Sequence, residues 1–128
     1  MMETQKFSWR ARARSFRYAF RGIGLLFLHE HNARIHLAVA LCVILAGIFF
    51  QISPLQWVAV SVCIGGVLSA EAFNSALESL ADRVSPERHP LIRDAKDYAA
   101  GAVLIFVFAA VAVGLIIFLP YIIDLFRK

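Results

Sequence analysis

Residues 55–82 read LQWVAVSVCIGGVLSAEAFNSALESLAD, and their pattern decides the fold. From Leu55 to Ala70 there is no charged side chain, and acidic ones enter only at Glu71, Glu78 and Asp82. The apolar stretch as a whole, from about Leu55 through Leu80, exceeds the ~20 residues that a helix needs to cross a bilayer core. Backbone amides and carbonyls find no water there, so the segment must be a helix that closes its own hydrogen bonds. On that helix Glu71, Asn74, Glu78 and Asp82 are spaced by three, four and four residues. This spacing projects them within about a quarter turn of one another. Ser75 borders the same stripe, while the other faces carry Ala, Leu and Phe.

Working outward, two further apolar stretches flank this one, from about Ile35 to Phe50 and from about Tyr98 to Ile123. The expected spans are therefore about 32–51, 55–81 and 97–123. Gln51-Ile52-Ser53-Pro54 forms a short turn, with Pro54 suited to the first turn of the next helix. The segment Asp82 to Asp97 is polar and holds Ser85-Pro86 and His89-Pro90, so it cannot be membrane-embedded helix throughout. Pro120 is expected to kink or end the last helix.

The N-terminal part follows a different pattern. Over residues 7–28, Arg10, Arg14, Arg17 and Arg21 form one stripe of a helix, and Trp9, Phe16, Phe20, Ile23 and Phe27 form another. That is an amphipathic helix lying in the membrane interface. The expected fold is thus all-α and integral to the membrane. It has three transmembrane helices and an N-terminal surface helix in a single domain of 128 residues. Seven basic residues lie before or at Arg34 and four lie in 82–97, against none in 51–54. This bias places the N-terminus and the 82–97 segment in the cytoplasm, and the C-terminus outside the cell membrane.

Composition agrees: 60% of residues are hydrophobic and 17% charged, with a mean hydropathy of +0.71. In such a chain the net charge of +4 points to anionic headgroups or a phosphorylated substrate rather than to nucleic acid. Cys42 and Cys63 both sit in apolar runs and suggest no disulfide framework. The first 22 residues carry six basic side chains and no compact apolar core, so no cleavable signal peptide is expected.

The acidic stripe is where chemistry is expected. A carboxylate at the centre of a bilayer costs at least ~2.5 kcal/mol, so Glu71 must find water, a cation, a partner or a proton. A glutamate so placed suits a general base. Two carboxylates near a phosphate suit a hard divalent ion. The small residues around the stripe also suit close helix packing. Elsewhere, His29 and His31 point to different faces of a helix and make a poor chelate. Asp97 fits either a charge at a helix N-terminus or a ligand. The Gly22-Ile23-Gly24 and Gly65-Gly66 clusters lack the spacing of a Walker motif.

The run Glu71-Ala-Phe-Asn74-Ser75-Ala76-Leu77-Glu78-Ser-Leu-Ala-Asp82 resembles the signature of the bacterial diacylglycerol kinase family, Glu-x-x-Asn-Ser/Thr-Ala-Ile-Glu-x-x-x-Asp. Leu77 for Ile is the only departure. The likeness extends to Glu30-His31-Asn32-Ala33-Arg34-Ile35-His36 and to Ala95-Lys96-Asp97-Tyr98-Ala99-Ala100-Gly101-Ala102-Val103-Leu104, and covers roughly residues 14–115. The resemblance implies a homotrimeric membrane lipid kinase that moves the γ-phosphate of ATP to a lipid hydroxyl, at sites shared between subunits. It implies Glu71 as the general base and Asn74, with Ser75 beside it, as positioning residues. Glu30 and Glu78 become ligands of Mg2+, and Lys96, Asp97, Tyr18 and Arg14 face the nucleotide. Asp82 marks the cytoplasmic end of the helix. The Glu-His-Asn-x-Arg-Ile-His run and the Ala-Ala-Gly-Ala-Val-Leu run look more like the undecaprenol kinase branch, although Ala33 stands where that branch often has a bulky aromatic. A different class, a small proton- or cation-coupled transporter, also accounts for intramembrane glutamates on a short bundle.

Overall fold

The computed structural model describes residue 4 and residues 6–128. It contains helices α1 (Trp9–His29), α2 (His31–Phe50), α3 (Pro54–Val84) and α4 (Pro90–Arg127), with no strand among the described residues. The last three are long and apolar enough to cross a membrane, so the chain is an all-α membrane protein with one additional N-terminal helix.

Helix α1 begins at Ser8, whose hydroxyl accepts from the Ala11 amide at 3.4 Å. Only Leu26 of this helix is buried; the arginine stripe stays exposed, and so does the aromatic stripe apart from half-buried Phe27. That is the arrangement of a helix whose apolar side meets lipid and whose basic side meets headgroups. Glu30 takes an extended conformation (φ −104°, ψ 113°) and separates α1 from α2. Arg34 folds back over this elbow, donating through Nε to the Phe27 carbonyl at 2.6 Å and through a terminal nitrogen to that of Leu28. A cation on the last carbonyls of a helix offsets both their unmet hydrogen bonds and the negative end of the dipole.

The spans pack through small residues. On α2 the buried residues are Ala33, Ala40 and Gly47, each seven apart on one seam. Small side chains let membrane helices approach closely, where dispersion supplies the attraction that lipid exclusion does not. A Cβ added at Gly47 would stand 2.6 Å from Trp57 Cη2, so only glycine fits unless the indole moves. Helix α3 packs most extensively on α4, and a Cβ at Gly66 would run into the Phe106 ring. Gly66→Ala is therefore expected to push Phe106 aside and destabilise the α3–α4 pair by about 1–3 kcal/mol, read as a lowered Tm in detergent.

The α2–α3 turn is firmly tied. Gln51 adopts the left-handed conformation (φ 52°), and the Ile52 amide reaches the Gly47 carbonyl at 3.1 Å. Ser53 and Gln56 form a reciprocal capping box, with Pro54 in the first turn. Gln56 also accepts from the Tyr121 hydroxyl at 2.8 Å, and Phe50 stacks on Tyr121 with ring centres 5.5 Å apart. Buried Ile52, Val60 and Ile117 form the core of this end.

Of the two expectations for Pro120, a kink or an end, the second does not hold. The helix does not end there but continues to Arg127. A proline inside a helix costs about 3 kcal/mol. Here its neighbours are held helical on both sides, Ile117 by burial and Tyr121 by its contacts with Phe50 and Gln56.

Helices α3 and α4 run beyond their apolar stretches. Helix α2 has 20 residues, about 30 Å at helical rise, which matches the hydrocarbon core. With 31 and 38 residues, α3 and α4 span about 46 and 57 Å. Their surplus emerges beside residues 85–89, the only part of the polar 82–97 segment that is not helical. Counted from Pro54, Glu71 lies about 26 Å along α3 and Glu78 about 36 Å. A ~30 Å core that began at Pro54 would therefore end between Glu71 and Glu78.

Candidate active site

Glu71 is the one buried polar or charged residue among the described residues, at 3% exposure. Its Oε1 lies 3.1 Å from Nε2 of His36 on α2. One turn further along α3, Asn74 Oδ1 and Ser75 Oγ are buried with no hydrogen-bond partner. An unpaired buried oxygen costs about 1–3 kcal/mol. The two lie on adjacent residues about one turn from the buried carboxylate, where a bound group bringing donors would satisfy them. His36 closes the upstream motif but reveals no role in the sequence. The one signal it offers is an ionisable ring entering an otherwise apolar span.

Past Glu71 the stripe opens to water. Glu78, Asp82, Lys96 and Asp97 line a cleft of about 640 Å³ with residues of the 85–89 loop. Lys96 Nζ donates to Asp82 Oδ1 at 2.7 Å, joining the ends of α3 and α4. Asp82 is therefore more than a helix end, because it holds Lys96 over this cleft. Glu30 lies elsewhere, in a groove of about 660 Å³ between α1 and α3 that also contains Ser75. Tyr18 and Arg14 are exposed on α1 and line neither space. The chain thus places Asn74 and Ser75 about one turn from Glu71, and Glu78 in one cleft with Lys96 and Asp97, while Glu30 lines a different groove. Among the described residues no three acidic, histidine or cysteine side chains converge as a metal site. A third groove of about 350 Å³ starts at His36 and runs between α2, α3 and α4 to Phe118 over almost wholly apolar side chains.

A family model for prokaryotic diacylglycerol kinase matches residues 17–118, which include all three motifs, the first two spans and most of the third. The chain belongs to the prokaryotic diacylglycerol kinase family. As a member of this kinase family it is a membrane lipid kinase. It is 39% identical over 107 residues to an undecaprenol kinase of Bacillus subtilis, covering 84% of this chain and 87% of that relative. It is 38% identical over 112 residues to a diacylglycerol kinase of Synechocystis, covering 87% of this chain and 64% of that longer relative. Against the diacylglycerol kinase of Escherichia coli K12 it is 28% identical over 94 residues, 73% of this chain and 77% of the relative. These likenesses lend nothing to the transporter alternative. Arg14 falls outside the stretch that the kinase family model matches, whereas Tyr18, Glu30, Glu71, Glu78 and Lys96 fall within it.

Proposed function

We propose that this lipid kinase transfers the γ-phosphate of ATP to the hydroxyl of undecaprenol at the cytoplasmic face of the membrane. The observation that carries this reading is the buried Glu71 beside the unpartnered oxygens of Asn74 and Ser75. With the core counted from Pro54, the carboxylate sits just inside it, where a lipid hydroxyl arrives, and the cleft of Glu78, Lys96 and Asp97 sits just outside, where a nucleotide arrives. Glu71 takes the hydroxyl proton. The lipid oxygen bonds to the γ-phosphorus, and the bond from that phosphorus to the β-phosphate oxygen breaks to release ADP. Phosphoryl transfer depends on positioning and charge neutralisation more than on covalent chemistry. Lys96 and Asp97 serve the nucleotide, with Tyr18 and Arg14 of α1 approaching it from the interface. Asn74 and Ser75 orient the acceptor.

The hard carboxylate oxygens of Glu30 and Glu78 fit Mg2+. The ion neutralises phosphate charge when bound. Glu30 and Glu78 line different grooves of one chain, which is compatible with a complete site shared between neighbouring subunits of a homotrimer, and the basic flanks put the N-terminus in the cytoplasm and the C-terminus outside. The acceptor is assigned from the Glu30–His36 run and from the likeness to a relative named undecaprenol kinase. The apolar groove descending from His36 suits a long hydrocarbon tail.

The test is purified protein in mixed micelles with γ-labelled ATP and either undecaprenol or diacylglycerol. Labelled undecaprenyl phosphate should form faster, and excess EDTA should stop it. Faster labelling of diacylglycerol would reverse the acceptor assignment. No labelled lipid from either acceptor would end the reading.

A further inference from the structure

His36 meets Glu71 where nothing else does. Their side chains are 23% and 4% exposed, and the contact crosses from α2 to α3. A carboxylate removed from water needs a donor to remain ionised. His36 is the one basic side chain within ion-pair distance of Glu71 among the described residues. Its other surroundings are nearly free of charge. The groove that it borders is lined from α3 and α4 by apolar side chains, and Cys63 is the only other titratable group there. Arg34, on the same helix, is turned back to the carbonyls of Phe27 and Leu28. Glu30, where α1 meets α2, borders a separate groove with α3.

We propose that His36 is a positioning residue for the kinase reaction: its Nε2–H donates to Glu71 Oε1, and this contact fixes the carboxylate and leaves Oε2 for the acceptor's proton. The proton is assigned to Nε2 because that nitrogen faces the acceptor oxygen. Orientation by a neighbouring donor matters because a base must meet its proton within hydrogen-bond reach. His36 keeps its proton throughout. The lipid O–H bond breaks, its proton passes to Oε2, and the lipid oxygen bonds to the γ-phosphorus as ADP leaves. The proposal rests on the reading of Glu71 as the base.

Two variants separate positioning from packing. His36→Phe fills the space without a donor, whereas His36→Gln carries an N–H to a similar reach. Each is assayed for kcat and for KM of ATP at saturating lipid. Each is also treated at neutral pH with dicyclohexylcarbodiimide, which attacks protonated carboxyls in apolar surroundings, and labelling of Glu71 is read by mass spectrometry. His36→Phe should lower kcat at least about tenfold with KM for ATP nearly unchanged, and should speed labelling of Glu71. His36→Gln should recover most of both losses. Native kcat and slow labelling in His36→Phe would overturn the proposal, as would equal losses in the two variants. Failure of both to assemble would also overturn it, because His36 would then hold the fold rather than the carboxylate. Turnover in Glu71→Gln, by contrast, ends the base reading itself, while the labelling still reports the pair.

Discussion

Glu71→Gln is expected to abolish turnover while leaving the protein folded and able to bind nucleotide. A general base contributes about 100- to 10,000-fold, and kcat should fall by at least the lower figure. Glutamine keeps the shape of the side chain and a carbonyl oxygen that can accept from His36, so the α2–α3 contact persists without a charge. Burying a neutral amide costs less than burying a carboxylate, so Tm should hold or rise. The cleft of Glu78, Lys96 and Asp97 lies beyond Glu71, which is why nucleotide affinity should survive. Phosphate transfer from γ-labelled ATP, Tm and ATP binding are measured on the same preparation. Retained transfer removes Glu71 from the base role. Lost transfer with lost assembly makes it structural.

Asn74→Leu should separate stability from activity in the opposite sense. Asn74 Oδ1 is buried without a partner, so the folded chain carries an uncompensated desolvation cost of about 1–3 kcal/mol. Leucine has the same number and branching of side-chain heavy atoms, though its methyls are bulkier, and it removes that oxygen. The scaffold should gain up to about 1–3 kcal/mol, seen as a raised Tm, while lipid phosphorylation is lost. If the oxygen served packing alone, turnover would survive with the gain in stability. Ser75→Ala offers a milder comparison, since its Oγ is unpartnered too but a hydroxyl is small enough to replace without repacking.

Much of this was legible in the sequence. Helix length, hydropathy and the spacing of Glu71, Asn74, Glu78 and Asp82 are properties of neighbours along the chain, and local periodicity reports them. The break between the surface helix and the first span was legible too, near residues 29–31, whereas the Arg34 side chain that folds back over it was not. What lets the helix run on past Pro120 was not legible, because the residues that hold it helical come from α2 and α3, at Phe50 and Gln56. Nor was the role of Asp82, since Lys96 meets it across fourteen residues of chain.

The sequence by itself determined that this is a membrane protein with three spans, which face of α3 carries the acidic stripe, and that Glu71 is the costly member of it. Those follow from composition and period alone. Only the tertiary structure decided that Glu71 is buried against His36, that Asn74 and Ser75 lack partners, and that Glu30 and Glu78 occupy different grooves. The reason is register. Which side chains meet across two helices depends on how closely and at what height the helices pack, and that is set by contacts such as Gly47 on Trp57 and Gly66 on Phe106. Such contacts are made between residues distant in the chain and leave no period in it.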